Sequence, residues 1–235
     1  MPPVTRSATA TTDLRNRPAY PLSEAARYLK VPAATVRSWF LGRQYETTKG
    51  RRHFSAIVAP ASRRPPVLSF WNLVEAHVLR ALRIDHRVSL KALRTAVAFA
   101  EGELNIERLL LSKELLAGAG RLFLHRYGEL VDLSASGQIA MRQVLEAHLK
   151  RVEWDKWQFP VRLYPFLASE ALTADRPIAI DPAIAFGRPV VLSRGVTTAT
   201  IAERIDAGET VDALAADYDL TSAAIEQAIL YERAA

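Results

Sequence analysis

One pattern of apolar residues occurs twice in this 235-residue chain, 189 positions apart. In SEAARYLKVPAATVRSWF (23–40), Ala26, Leu29, Val31, Val36, Trp39 and Phe40 fall where two short helices joined by a tight turn would bury them. The shifted positions are Ala215, Tyr218, Leu220, Ile225, Ala228 and Ile229, again all apolar or aromatic. Ser23 reads as the N-cap, Glu24 puts a carboxylate in the positive first turn, and Pro32 ends one helix and suits the start of the next. That is helix–turn–helix spacing. The alternative is that an alanine-rich chain produces such matches by chance.

The copies differ in charge. The second helix of the first copy offers Thr35, Arg37 and Ser38, and the stretch after it adds Arg43, Lys49, Arg51 and Arg52. In the second copy Glu226 and Gln227 replace Arg37 and Ser38, flanked by Asp212, Asp217 and Asp219. The whole chain follows this trend. Residues 1–94 hold 17 Lys+Arg against 5 Asp+Glu, a net of +12; residues 95–167 hold 9 against 9; residues 168–235 hold 5 against 11, a net of −6. A phosphate backbone attracts the first face and repels the second. The expectation is a head that binds double-stranded DNA and an acidic tail that binds protein.

Between the copies, 42–58 reads as a β-hairpin with a basic tip, and 59–66 as a breaker-rich connection. Ser69 and Ser89 read as caps of two amphipathic helices. Residues 121–133 alternate about Tyr-Gly and read as a hairpin, 137–152 as a helix, and 154–166 as an aromatic strand or connector. Short strands at 177–182 and 187–193 then lead into three helices. The fold class expected is mainly α with small β-hairpins: a winged helix–turn–helix head plus a C-terminal three-helix domain containing the second helix–turn–helix. Domain limits fall at 1–19 (a flexible arm), 20–100 (the head), 101–170 (a middle hairpin-plus-helix region) and 171–235 (the tail).

Catalysis finds little support. There is no cysteine, which excludes disulfides and thiolate metal sites and fits a reducing compartment. The five histidines (53, 77, 86, 125 and 148) lack metal-ligand spacing, and no phosphate-cradling glycine motif occurs. The expectations are no enzyme, no metal and no cofactor. No apolar run reaches the ~18 residues of a membrane span, and the N-terminus lacks an apolar signal core, so the expected location is the cytoplasm with no membrane partner. The cluster Trp154, Trp157, Phe159, Tyr164 and Phe166 reads as core or subunit contact, with a ligand pocket as the alternative.

Residues 20–100 resemble the DNA-binding end of MerR-type regulators, in YPLSEAARYLKVPAATVRSW, the wing-like KGRRHF (49–54) and the helix pair around SFWNLVEAHVLRALR. The resemblance implies backbone contacts from Arg37, Arg51 and Arg52, and base-edge contacts from Thr35 and Ser38. The stretch SAIVAPASRRPPVL is an insertion relative to that pattern. Residues 177–232 resemble the small helical domain of VapB-type antitoxins encoded beside PIN-domain ribonucleases, in IDP (180–182), GRPVV (187–191), AGETVDALAADY (207–218) and AIEQAILYE (224–232). LSRG (192–195) stands where that family has Gly-Thr-Arg, and Asp219 where it has proline. Together the resemblances imply an antitoxin that neutralises a PIN-domain ribonuclease and represses its own operon from operator DNA. A single winged unit covers one half-site, so a homodimer or higher homo-oligomer is expected, with the middle region as the candidate subunit contact. For toxin binding the expected residues are Ile201, Ile205, Ile229, Leu230 and Tyr231 as an apolar surface, with Arg188 or Arg194 reaching the nuclease carboxylates. The competing reading makes the isoleucines core of the tail and the arginines solvated. A different function, a ligand-responsive MerR-like regulator without a toxin, is the alternative; an architectural recombination factor is a weaker third.

Overall fold

Pro21 and Pro32 open the two helices of the first unit, in a computed structural model that describes residues 13–48, 50–84, 90–112, 115, 123–126, 135–165 and 176–234. α1 (Leu22–Leu29) and α2 (Ala33–Leu41) each follow a proline in extended backbone, without a side-chain cap. Ser23 therefore lies inside α1, because Pro21 already fixes the chain's entry. α1 ends at Lys30 in the left-handed conformation (φ 53°, ψ 48°), and the Val31 amide returns to the Ala26 carbonyl at 3.0 Å.

The wing is β2 (Arg43–Thr47) paired antiparallel with β3 (Gly50–Phe54), from Arg43 opposite Phe54 to Thr47 opposite Gly50. The stretch read as a connection, 59–66, contains β4 (Ser62–Arg63) and runs into β5 (Pro66–Leu68). With β1 (Tyr20–Pro21) they form a three-stranded sheet in the order β1-β5-β4. The insertion thus brings the chain back to the entry of α1. α3 (Phe70–Ile84) is capped by Ser69, whose hydroxyl accepts the Asn72 amide at 3.1 Å. α4 (Leu90–Leu104) and α5 (Ala135–Leu149) follow, and α3 packs against both α1 and α5. Ser89, Lys49 and Phe166 lie outside the described residues.

The hairpin expected at 121–133 is corrected at its described part: residues 123–126 form a helical turn. Phe123 and Leu124 are both buried. Neighbours on a strand would point to opposite faces, whereas a helical turn lets both reach one core. The rest of that stretch lies outside the described residues.

The aromatic stretch forms the hairpin of β6 (Val152–Trp154) and β7 (Pro160–Leu163). β8 (Ile178–Ile180), β9 (Pro189–Val191) and β10 (Val196–Thr197) complete an antiparallel five-stranded sheet in the order β10-β9-β8-β7-β6. The tail helices are α6 (Thr198–Asp206), α7 (Val211–Tyr218) and α8 (Ser222–Arg233), each capped by a threonine: Thr197, Thr210 and Thr221.

The 189-residue repeat holds in the backbone. α7 occupies the shifted range of α1, and Asp219, the counterpart of Lys30, is also left-handed (φ 51°, ψ 50°). The Leu220 amide returns to the Ala215 carbonyl at 2.9 Å, as Val31 does to Ala26. One large core joins the head, α5 and the β6–β7 hairpin; a smaller one gathers Val191, Ile201, Leu214, Ile225 and Ala228.

Candidate nucleic-acid interface and partner face

Gly42 ends α2 at φ 73°, and a Cβ there would stand 2.1 Å from the Phe54 carbonyl oxygen. The wing root therefore lies flat against the end of α2. The amides of Ile57 and Val58 donate to the Trp39 carbonyl at 2.7 and 3.3 Å, which ties the chain leaving the wing to the same helix. The result is a groove of about 560 Å³ between α2, the wing root and the start of α4, lined by Thr35, Arg37, Arg43, Gln44, His53 and Leu90 among others.

Arg37 and Arg43 are exposed and make no ion pair among the described residues; Arg51 is exposed and stands 3.6 Å from Glu46 across the hairpin. Thr35 is half-buried at the groove. Ser38 also lines the groove but is only 7% exposed, and its hydroxyl donates to the Thr35 carbonyl at 2.9 Å. Lys49 and the Arg52 side chain lie outside what is described, although Arg52 pairs with Tyr45 in the strand register. The outward start of α2 is Pro32, Ala33 and Ala34, which gives an apolar, short-reaching surface beside Arg37.

The tail copy meets the head through its last helix. Tyr231, 1% exposed, donates its hydroxyl to the Tyr28 carbonyl at 2.8 Å, and the Lys30 ammonium lies 4.3 Å from its ring centroid. Arg27 pairs with Glu232 at 2.8 Å. Burial holds the Tyr231 phenol well above its ordinary pKa, with the Glu232 charge adding to that. Of the expected toxin-binding set, Ile201 is wholly buried, and Ile205 and Ile229 pack on the tail core. Arg194 is held by Asp219, through its carboxylate and its carbonyl. With Tyr231 docked on the head, these five residues do not form one exposed face. Leu230 and Arg188 are exposed, and the Arg188 side chain makes no ion pair or hydrogen bond among the described residues.

The sequence reading missed Phe186. It is 92% exposed, and both it (φ 56°) and Ala185 (φ 46°) adopt left-handed backbone, which costs on the order of 1–3 kcal/mol per non-glycine residue. The loop is fixed from within. Asp181, 8% exposed, accepts the Ala183 amide at 2.9 Å and two Arg162 N–H groups at 2.9 and 3.1 Å. Gly187 (φ 75°) leaves room for the Tyr20 hydroxyl, 2.0 Å from where a Cβ would stand. An aromatic and an unpaired guanidinium, Phe186 and Arg188, are thus held outward two residues apart. Among the described residues no group of three or more histidine and acidic side chains is placed to hold a metal, and no helix is long and apolar enough to cross a membrane.

These two surfaces fall in the two segments that match known families. Residues 18–97, which contain the basic groove, match the family described as "Putative DNA-binding HTH domain", and residues 178–231 match "Protein of unknown function (DUF433)". Over 90% of this chain and 92% of its own length, a Mycobacterium tuberculosis protein named "Putative antitoxin VapB45" is 26% identical. "Uncharacterized protein Rv2308" of the same organism is 25% identical over 97% of this chain and 95% of its own. The crystal structure of Rv2018 from Mycobacterium tuberculosis shares the fold, with a TM-score of 0.65 at 22% identity, covering 90% of this chain and 97% of that one.

Proposed function

We propose that this chain is an antitoxin of a bacterial toxin–antitoxin pair: it binds operator DNA through the head and a PIN-domain ribonuclease through the tail. The observation that carries the reading is the groove between α2 and the wing, whose exposed cations Arg37 and Arg43 make no ion pair among the described residues, with Arg51 exposed farther along the wing. The distant relative with an antitoxin name, aligned over nearly the whole length of both chains, supports the second half. In this reading, as the MerR-type resemblance implies, α2 lies in the major groove with the wing on the backbone, and a homodimer supplies the second half-site. On the tail, Arg188 with Phe186 beside it replaces the buried isoleucines as the contact surface: an aromatic anchor next to a cation suited to carboxylates.

Co-expression with the nuclease encoded next to the gene tests this. The full chain protects cells; a Phe186→Ala, Arg188→Glu double variant loses protection while its affinity for operator DNA is unchanged. Full protection by that variant places toxin binding elsewhere. A second reading, a ligand-responsive regulator without a toxin, draws support from a cavity of about 410 Å³ beside the segment that follows the wing.

A further inference from the structure

The cavity lies between residues 57–61, α3, α4 and the 3-10 turn Leu109–Leu111, and none of its lining belongs to the groove on α2. Its volume of about 410 Å³ is within the ordinary range of small-molecule sites. Ile57, Val58, Pro60, Val97 and Leu110 supply apolar walls. The polar side is a preassembled network. Glu75, 1% exposed, receives Arg108 through two N–H groups at 2.8 Å each and Asn72 at 2.8 Å. Asn72 also holds the wall itself, accepting the Ala61 amide at 2.9 Å and donating to the Ala59 carbonyl at 3.0 Å.

One lining group remains partly uncommitted. Glu101 accepts the Leu109 amide at 2.8 Å with Oε1, and its Oε2 has no hydrogen bond among the described residues. Burial, with the nearby Glu75 charge, raises its pKa above the usual carboxylate value, the cost of a charge with too little compensation. Two carboxylates, Glu75 and Glu101, face one guanidinium, Arg108, so the ionised lining is one negative charge in excess.

We propose that this cavity is an effector site for a small organic amine, its ammonium on Glu101 and its apolar body against Ile57, Val58 and Val97. An ammonium neutralises the excess charge and gives the open oxygen a donor, whereas a carboxylate of the same shape adds a like charge to a half-buried site. The site has a direct mechanical route to the head. The wall residues Ile57 and Val58 are those whose amides hold the Trp39 carbonyl at the end of α2. A ligand that fixes 57–61 therefore fixes the angle between the recognition helix and the wing. This last step rests on the DNA-binding reading of the head; the binding of amine does not.

The probes are 2-phenylethylamine, 2-phenylethanol and 3-phenylpropanoate, one apolar body with three head groups. Thermal denaturation and titration calorimetry of the full chain show a concentration-dependent stabilisation by the amine that the other two lack. Glu101→Gln weakens amine binding by about tenfold. Ala61→Phe, at the exposed rim, abolishes it with an unchanged circular dichroism spectrum, and this variant decides the question should Glu101→Gln fold poorly. No response to the amine, an equal response to all three probes, or unchanged binding in Ala61→Phe overturns the site. Fluorescence anisotropy with labelled duplex DNA then shows saturating amine changing the affinity of the wild-type chain by about threefold or more, and not that of Ala61→Phe. DNA binding indifferent to bound amine overturns the coupling; a chain that binds amine and no duplex at all overturns the DNA reading and leaves the site standing.

Discussion

The two helix–turn–helix units have the same backbone and opposite uses of it. Both turn through a left-handed residue, Lys30 or Asp219, and both return the next amide to the fourth residue before that turn. The divergence is concentrated one helix later. Position 42 in the head is glycine, which stops α2 and throws the chain into the wing; its counterpart in the tail is Tyr231, which continues α8 and docks on Tyr28. Charge diverges in parallel, with Arg37 exposed in one unit and Glu226 in the other. A motif kept by apolar spacing thus carries a cationic surface in the head and, in the tail, an anionic one that docks on the head.

The largest way to break this comparison is to remove the glycine. Gly42→Ala places a Cβ 2.1 Å from backbone and forces an L-residue to φ 73°. Denaturant unfolding is expected to show a loss of about 3 kcal/mol or more, with duplex binding lost as the wing leaves α2. Next is the docking tyrosine. Tyr231→Ala, at 1% exposure, is expected to cost about 3–5 kcal/mol, and Tyr231→Phe, which loses only the bond to the Tyr28 carbonyl, about 1 kcal/mol. An equal cost for the two variants would deny the hydrogen bond any part.

Acid separates the regions further, since residues 168–235 contain no histidine. His77 on α3 is fully buried beside His148 of α5, ring centroids 5.0 Å apart, and its Nε2 donates to the His148 carbonyl at 3.2 Å. Burial, and then the neighbouring His148, hold its pKa well below the usual histidine value, so the folded chain keeps it neutral. Below about pH 6.5 the unfolded chain takes up a proton the folded chain does not, and stability falls by up to about 1.4 kcal/mol per pH unit from this group. Denaturation midpoints of the wild-type chain between about pH 7 and pH 5 are expected to fall more steeply than those of His77→Phe.

The smallest effect concerns the shared turn. Lys30→Gly and Asp219→Gly each relieve a left-handed L-residue, a gain of up to about 1 kcal/mol. Lys30 gives back its contact with Tyr231, and Asp219 its bond from Arg194, so neither variant is expected to gain more than a few tenths net.

Much of this was legible in the sequence because it depends on local rules. The 3.6-residue spacing, the prolines and the glycines placed both units, the wing and the tail strands. What the sequence hid is tertiary. Ser23 is a good N-cap by type, yet Pro21 takes the position. Ser38 sits about 100° around the helix from Arg37 and is largely covered, its hydroxyl tied to the Thr35 carbonyl at the groove. Ile201 and Tyr231 look like a surface only until their partners, in the tail core and on α1, are known. Phe186 gave no signal beyond the glycine that follows it, and the Glu75–Arg108 pair spans 33 positions that no periodicity links.

The account stands or falls on which copy touches DNA. The direct measurement is the affinity of the full chain for duplex DNA between about 50 and 200 mM salt, in wild type, Arg37→Ala, Arg51→Ala and Glu226→Ala. The predicted result is a log–log slope shallower by about one for each arginine removed and unchanged for Glu226→Ala. Slopes that ignore both arginines, or that respond as strongly to Glu226, would contradict it.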